Sequence, residues 1–196
     1  MPRTRSRTPS TTTTGTGEQP AAPRVVADLS ALQLMVPAVD PVLDDLRPQL
    51  PDGATVMDPG HISFGYPWLD PDAGRIVLDD VATALAREGP FDVELSGPQH
   101  FPADGAGRVT VYLVPQPEAA IQALSWIIAD ASGHDIEFSP HCSLVRLPAG
   151  ADPGPLQRLI HPHLPLIARL DQVQFHVQGA DGWRVERSMP LGTPVG

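Results

Sequence analysis

The sequence predicts an α+β fold of two similar lobes, each an antiparallel sheet with helices, flanking a central cleft. Three observations lead there. Short β-prone runs alternate with helix-length amphipathic stretches. The second half of the chain roughly repeats the first, a helix followed by a strand that opens on His. Those two strands carry one pattern, His-apolar-Ser-apolar, at His61-Ile62-Ser63-Phe64 and at His141-Cys142-Ser143-Leu144, 80 positions apart.

Order begins near Ser30. Residues 31–36 are an apolar run of strand length, closed by Pro37. Asp40 followed by Pro41 reads as an N-cap with Pro at the first helical position. Val42, Leu43 and Leu46 share one face, so 41–50 reads as a short helix. Pro51-Asp52-Gly53 signals a turn, and the first His-Ser strand follows over 60–67. Ile76, Val77, Val81 and Leu85 place a helix over 76–88, stopped by Gly89-Pro90. Residues 91–95 alternate apolar and acidic, the pattern of a half-exposed strand. Residues 97–107 read as a loop rich in Pro and Gly, and 109–114 as a strand closed by Pro115. Ala120, Ile121, Leu124 and Ile128 form one stripe of a helix over 117–130. The second His-Ser strand runs over 141–147, then a loop over 148–155 and a helix over 155–169. Residues 172–177 and 183–187, joined by Ala180-Asp181-Gly182, read as a hairpin.

The 196 residues are 41% hydrophobic and 18% charged, which suits a single domain with a sizeable core over 25–196. All 13 basic residues are Arg, and the abundance of Pro and Gly reads as that of a GC-rich bacterial genome. Residues 1–24 are rich in Thr, Ser, Pro and Gly and carry a net +3. They read as a disordered tail and an untethered, solvated terminus. Residues 25–196 hold 9 Arg against 22 Asp or Glu, a net charge of −13. So acidic a body argues against a long phosphate-tracking groove. Cys142 is the single cysteine, which excludes an intramolecular disulfide and a CxxC metal knuckle and fits a reducing cytoplasm. No 18-residue apolar run is present and the first residues are polar, so neither a membrane span nor a secretory signal is expected.

Side chains alternate between the faces of a strand. His61, Ser63 and Gly65 would share one face, opposed by Ile62, Phe64 and Tyr66; His141, Ser143 and Val145 would share another, opposed by Cys142 and Leu144. Two such strands side by side would present two imidazoles and two hydroxyls to one cleft. That arrangement suits an anion whose chemistry needs one proton removed and one delivered.

Phe138-Ser139-Pro140-His141-Cys142-Ser143-Leu144-Val145-Arg146 resembles the second motif of the two-histidine phosphoesterases, in particular the bacterial 2′–5′ RNA ligase and cyclic phosphodiesterase group. His61-Ile62-Ser63-Phe64 resembles the first. Gln99-His100-Phe101-Pro102 with the strand after it, and the closing segment from Gly182-Trp183 to Leu191, are similar to further parts of the family. The resemblance covers about residues 30–191. Both hydroxyl positions are Ser where Thr is commoner, and Gly65-Tyr66-Pro67-Trp68 replaces the usual aliphatic run.

The resemblance implies metal-independent cleavage or formation of a phosphodiester, read here as a phosphodiesterase acting on a 2′,3′-cyclic phosphate or a 2′–5′ linkage of a nucleotide or RNA end, with a non-catalytic nucleotide-binding module, or the same type of enzyme on another small phosphodiester, as the alternatives. One of His61 and His141 would be the base and the other the acid. Ser63 and Ser143 would bind the phosphate. No cofactor and no metal are implied, and His161-Pro162-His163 lacks the acidic ligands of a metal site. A small nucleotide or RNA-end substrate is expected, with no membrane partner, in a monomeric cytoplasmic protein. Tyr66, Trp68, His100 and Phe101 fall in or beside loops near the expected cleft and are candidates for stacking on a base, with ordinary packing as the competing reading. Arg146 matches the family motif, yet strict alternation places it opposite His141. A structural role or a salt bridge at the strand end is then as good a reading as phosphate contact, and only a bulge would turn it inward. Cys142 reads as a small buried hydrophobe.

Overall fold

Strands whose apolar residues alternate with polar ones can bury one face and offer the other to solvent. In the computed structural model of the chain, which describes residues 29–192, such strands build two antiparallel sheets around one continuous core. The tail expected over 1–24 lies outside the described residues. The first sheet comprises β1 (Ser30–Met35), β3 (His61–Gly65), β8 (Gln172–Gly179) and β9 (Gly182–Pro190), in the order β3-β1-β8-β9. The second comprises β2 (Thr55–Val56), β4 (Phe91–His100), β5 (Val109–Gln116), β6 (Cys142–Leu147) and β7 (Leu166–Leu170), in the order β2-β6-β5-β4-β7. With four helices, this is the expected α+β, two-lobed architecture.

The lobes are not the two halves of the chain. The C-terminal hairpin β8–β9 returns to pair with β1, whereas β2 leaves the first half to edge the second sheet against β6. The lobes nonetheless correspond strand for strand, β3-β1-β8-β9 with β6-β5-β4-β7. The helices are also exchanged. α2 (Pro71–Leu85) lies beside α3 (Glu118–Ser132), and α1 (Asp40–Leu46) lies beside α4 (Gly154–Ile160).

Four segments depart from the sequence reading, each for a local reason. α2 starts five residues earlier than its apolar stripe, because the Asp70 carboxylate caps it by accepting from the backbone N–H groups of Asp72 and Ala73. The segment expected as a loop over 97–107 begins as strand. β4 runs on to His100 through a bulge that Gly97 permits at φ 55°. The helix expected over 155–169 stops at Ile160. A 3₁₀ turn with Pro162 at its centre follows, and then β7, whose Ala168 and Leu170 face the core. Asp40 is the first helical residue rather than a cap, and its carboxylate is used elsewhere.

That use places the first motif. The backbone N–H of Met57 continues the β2–β6 ladder by donating to the Leu144 carbonyl at 2.8 Å. Only Asp58, Pro59 and Gly60 then separate it from His61, the first residue of β3. The chain thus steps from the edge of one sheet to the edge of the other in a few residues. Gly60 anchors the step. Its N–H donates to Asp40 Oδ1 at 2.7 Å, and its carbonyl accepts from Val36 N–H at 2.8 Å. A Cβ at Gly60 would lie 2.8 Å from both the Val36 carbonyl oxygen and the Val39 Cβ, so nothing larger than Gly fits.

Gly60→Ala is therefore expected to destabilise the protein by about 2 kcal/mol, a loss of roughly 4–8 °C in Tm. Thermal unfolding followed by circular dichroism measures this. A wild-type Tm in the variant would show that the step is not tightly packed.

Candidate active site

The backbone turns that precede the two histidines fix their rings in the same way. Nδ1 of His61 lies 2.7 Å from the Pro59 carbonyl oxygen, and Nδ1 of His141 lies 2.7 Å from the Ser139 carbonyl oxygen. A carbonyl can only accept, so each Nδ1 carries the proton and each Nε2 is left for chemistry. Neutral, that Nε2 accepts a proton; charged, it donates one. The two strands lie against one another, and behind them Phe64 packs on Phe138 with ring centroids 5.2 Å apart. The charge of His141 contributes to lowering the pKa of His61.

Register fixes what surrounds them. In the first sheet, Ser63 stands opposite Gln33 of β1, and Gln33 opposite Gln174 of β8. In the second, Ser143 stands opposite Tyr112 of β5, and Tyr112 opposite Gln99 of β4. Corresponding strands thus carry corresponding rows, Ser63-Gln33-Gln174 and Ser143-Tyr112-Gln99, each on the face of its motif serine.

A bulge interrupts each motif strand at the third residue after the histidine. Phe64 is the extra residue in β3 and Leu144 the extra residue in β6. The second bulge overturns strict alternation for Arg146. Leu144 and Val145 are both buried, and Arg146 pairs with Thr110 on the same face as Ser143 and Tyr112. Its Nε donates to Thr110 Oγ1 at 3.5 Å, and among the described residues no carboxylate pairs with it. The strand-end salt bridge is thus excluded among those residues, and Arg146 is a cation on the cleft face.

The other candidates divide. Phe101 lies in the site: it stacks on Tyr112 at 4.3 Å and meets His141 edge-on at 4.8 Å, while Tyr112 meets the same imidazole at 5.5 Å. Tyr112, missed in the sequence, is at a polar-face position of a strand whose alternation was plain. Tyr66 is exposed and contacts Trp183, at 5.8 Å between ring centroids. Trp68 is only 5% exposed and packs on Phe175 in the core, so it cannot stack on a base. His100 is turned away from the cleft: it sits opposite the buried Val111, and its Nδ1 lies 3.3 Å from Gln157 Nε2 of α4. Cys142 is fully buried, and burial pushes its thiol up to about 12, with the His61 backbone N–H partly offsetting. His176 stands on the cleft face of β8 and is buried. Among the described residues, no group of three or more His, Cys, Asp or Glu side chains is arranged to hold a metal ion.

Burial lowers the pKa of His61 below the ordinary imidazole value; the Pro59 carbonyl opposes this and the His141 charge adds to it. Burial likewise lowers His141, opposed by the Ser139 carbonyl, and lowers His176, helped by the charge of His61. Unfolding exposes each imidazole to water, where it titrates near pH 6.5. Between the lowered native values and about 6.5 the unfolded chain binds more protons, so stability falls as pH drops through that window and levels below it. Differential scanning fluorimetry should show Tm declining from pH 7 to pH 5. The decline should be shallower in His176→Gln and in His141→Gln; an unchanged slope in both would exclude these groups as its source.

The family model for the 2′-5′ RNA ligase superfamily matches residues 35–182. Among solved structures, TT0787 of Thermus thermophilus aligns with a TM-score of 0.61 at 18% identity, over 85% of this chain and 99% of that one. E. coli LigT, in complex with NADP+, aligns at 0.60 and 14% over 85% and 99%. Usb1 of Kluyveromyces marxianus aligns at 0.54 and 14% over 83% and 98%. At these identities the likeness is one of fold. No curated protein matches the chain in sequence. The family model covers three quarters of the chain, and with it the two histidine motifs: the protein belongs to the 2′-5′ RNA ligase superfamily, the two-histidine phosphoesterases.

Proposed function

We propose that the protein is a phosphodiesterase that opens a 2′,3′-cyclic phosphate or cleaves a 2′–5′ diester at a nucleotide or RNA end by metal-independent acid–base catalysis. The observation that carries this reading is the matched pair of imidazoles. Each has Nδ1 held by a backbone carbonyl two residues earlier and its Nε2 without a hydrogen-bond partner among the described residues, with a serine hydroxyl two residues on. One neutral Nε2 takes a proton from water as the water oxygen attacks phosphorus. The other, protonated, gives its proton to the ribose oxygen as that P–O bond breaks. The net result is one water consumed and one diester bond opened. Ser63 and Ser143 donate to the non-bridging oxygens, where negative charge grows.

Arg146 supports the same reading. In a body of net charge −13, a phosphate needs a local cation, and this one lies on the Ser143 face without a carboxylate partner among the described residues. Phe101 and Tyr112 wall one side of His141, which keeps water from the ring and holds its orientation. A small nucleotide is the substrate class this favours. LigT, which shares the fold, has been solved in complex with 3′-AMP and with NADP+.

The test is turnover of 2′,3′-cyclic nucleotides and 2′–5′ dinucleotides in excess chelator. Activity is expected to persist with chelator and to fall about 10²–10⁴-fold in His61→Ala and in His141→Ala. Ser63→Ala and Ser143→Ala should each cost about 10²-fold in kcat. Loss of activity on chelation would overturn the metal-independent mechanism. Nucleotide binding without turnover by the wild type would make the protein a binding module.

Both imidazoles titrate below their ordinary value in the free protein. The form with one neutral and one charged ring is then most populated below pH 6.5. kcat/KM for a cyclic nucleotide should therefore peak on the acid side of 6.5 and fall toward pH 8 as the acid loses its proton. A profile that rises through pH 8 would be incompatible with this pair.

A further inference from the structure

The lobe correspondence extends one residue beyond the strand. The bulges at Phe64 and Leu144 are equivalent, so alternation continued past each bulge directs the fifth residue after each histidine to the cleft face, where the second lobe pairs that residue with Thr110. In the second lobe that residue is Arg146; in the first it is Tyr66. Alternation alone places Tyr66 on the core face, yet its ring lies 5.8 Å from that of Trp183. Trp183 stands opposite Gln178 of β8, two residues along from His176, and so lies on the cleft face. β3 and β9 are the two outer strands of the four-stranded sheet, about 14 Å apart if it were flat. The two rings therefore meet across the width of the sheet on this face. On the two strands between them, Ala31 and His176 are paired across β1 and β8 and both are buried, as covering by the rings would produce.

The two rings remain 60% and 42% exposed, with half-exposed Val185 beside them. This is an apolar patch continuous with the motif face, about 10 Å beyond Ser63 along β3. The floor between is polar. Gln174 Oε1 lies 3.1 Å from His176 Nε2, so the imidazole N–H donates to the amide oxygen and the amide N–H groups of Gln174 are left for a ligand acceptor. The equivalent surface of the second lobe is already filled, by Phe101 stacked on Tyr112 and by Arg146.

We propose that Tyr66 and Trp183 form a nucleobase subsite on the first-lobe side of the imidazole pair, with Gln174 donating to the base or its sugar. The subsite rests on the phosphodiesterase reading for the position of the phosphate. The substrate is then oriented by the lobe difference: its phosphate lies toward Arg146 and one base toward Tyr66 and Trp183. Exposed aromatic faces take any base by stacking, so this subsite confers a preference for nucleotides over base-free phosphates rather than for one base.

The test is binding of 3′-AMP and of ribose 5-phosphate to the full chain by isothermal titration calorimetry. Both are monoesters, so no diester turnover interferes. Wild type should bind 3′-AMP more tightly than ribose 5-phosphate. Trp183→Ala and Tyr66→Ala should each lower that ratio about tenfold, whereas Trp183→Phe should keep it. Both positions are exposed, so unaltered Tm values in the variants are expected to accompany the loss. Equal affinity of wild type for the two ligands, or an unchanged ratio in both Ala variants, would overturn the subsite. If no diester is turned over while the ratio still depends on Trp183, the catalytic reading fails and the subsite stands. If diesters are hydrolysed and the ratio is indifferent to both rings, the reverse holds.

Discussion

Both imidazoles reach one cleft because the chain passes from β2 to β3 through Asp58, Pro59 and Gly60 alone. β2 is hydrogen-bonded to β6, which carries the second motif, so three residues are all that separate the first motif from the second strand's ladder. So short a link cannot wander. Gly60 is held from two sides, by the Asp40 carboxylate and by the Val36 backbone, with no room for a side chain. Pro59 then presents the carbonyl that orients His61. One packed turn thus sets sheet contact, ring position and tautomer together.

Given that junction, the lobes differ in what they hang on the same scaffold. The rows Ser63-Gln33-Gln174 and Ser143-Tyr112-Gln99 occupy equivalent strands, and the bulges at Phe64 and Leu144 occupy equivalent positions. The first lobe carries amides and an exposed aromatic pair. The second carries an aromatic wall on His141 and an arginine. A near-symmetric frame therefore yields an asymmetric cleft, as the proposed substrate, with a phosphate at one end and a base at the other, would require. The overall acidity makes this placement of one arginine matter more for any anionic ligand, since the surrounding field repels anions at long range.

Burial of the imidazoles follows from the same packing. Phe64 of β3 packs on Phe138, in the segment that leads into β6, and Phe101 and Tyr112 meet His141 edge-on. Removing water disfavours the charged ring, so both imidazoles are held below the ordinary histidine pKa. A phosphate anion bound between the rings, as the proposed function has it, would favour the charged form of one of them.

The sequence by itself determined the α+β class, most strand and helix positions, the pairing of His61-Ser63 with His141-Ser143 and the burial of Cys142. These follow from hydrophobic period and turn chemistry, which are local. Tertiary structure decided the rest. It showed that lobes and chain halves differ, because β8–β9 and β2 pair with strands distant in sequence. It moved Trp68 into the core and turned His100 toward α4, since a residue beside a loop can point either way. It brought Arg146 and Tyr66 to the cleft face, because a one-residue bulge reverses every face after it and leaves no mark in the alternation. It added Tyr112, Gln174, His176 and Trp183, whose neighbours are set by register across strands. Periodicity tells which residues share a strand face; only pairing across the sheet tells what that face looks upon.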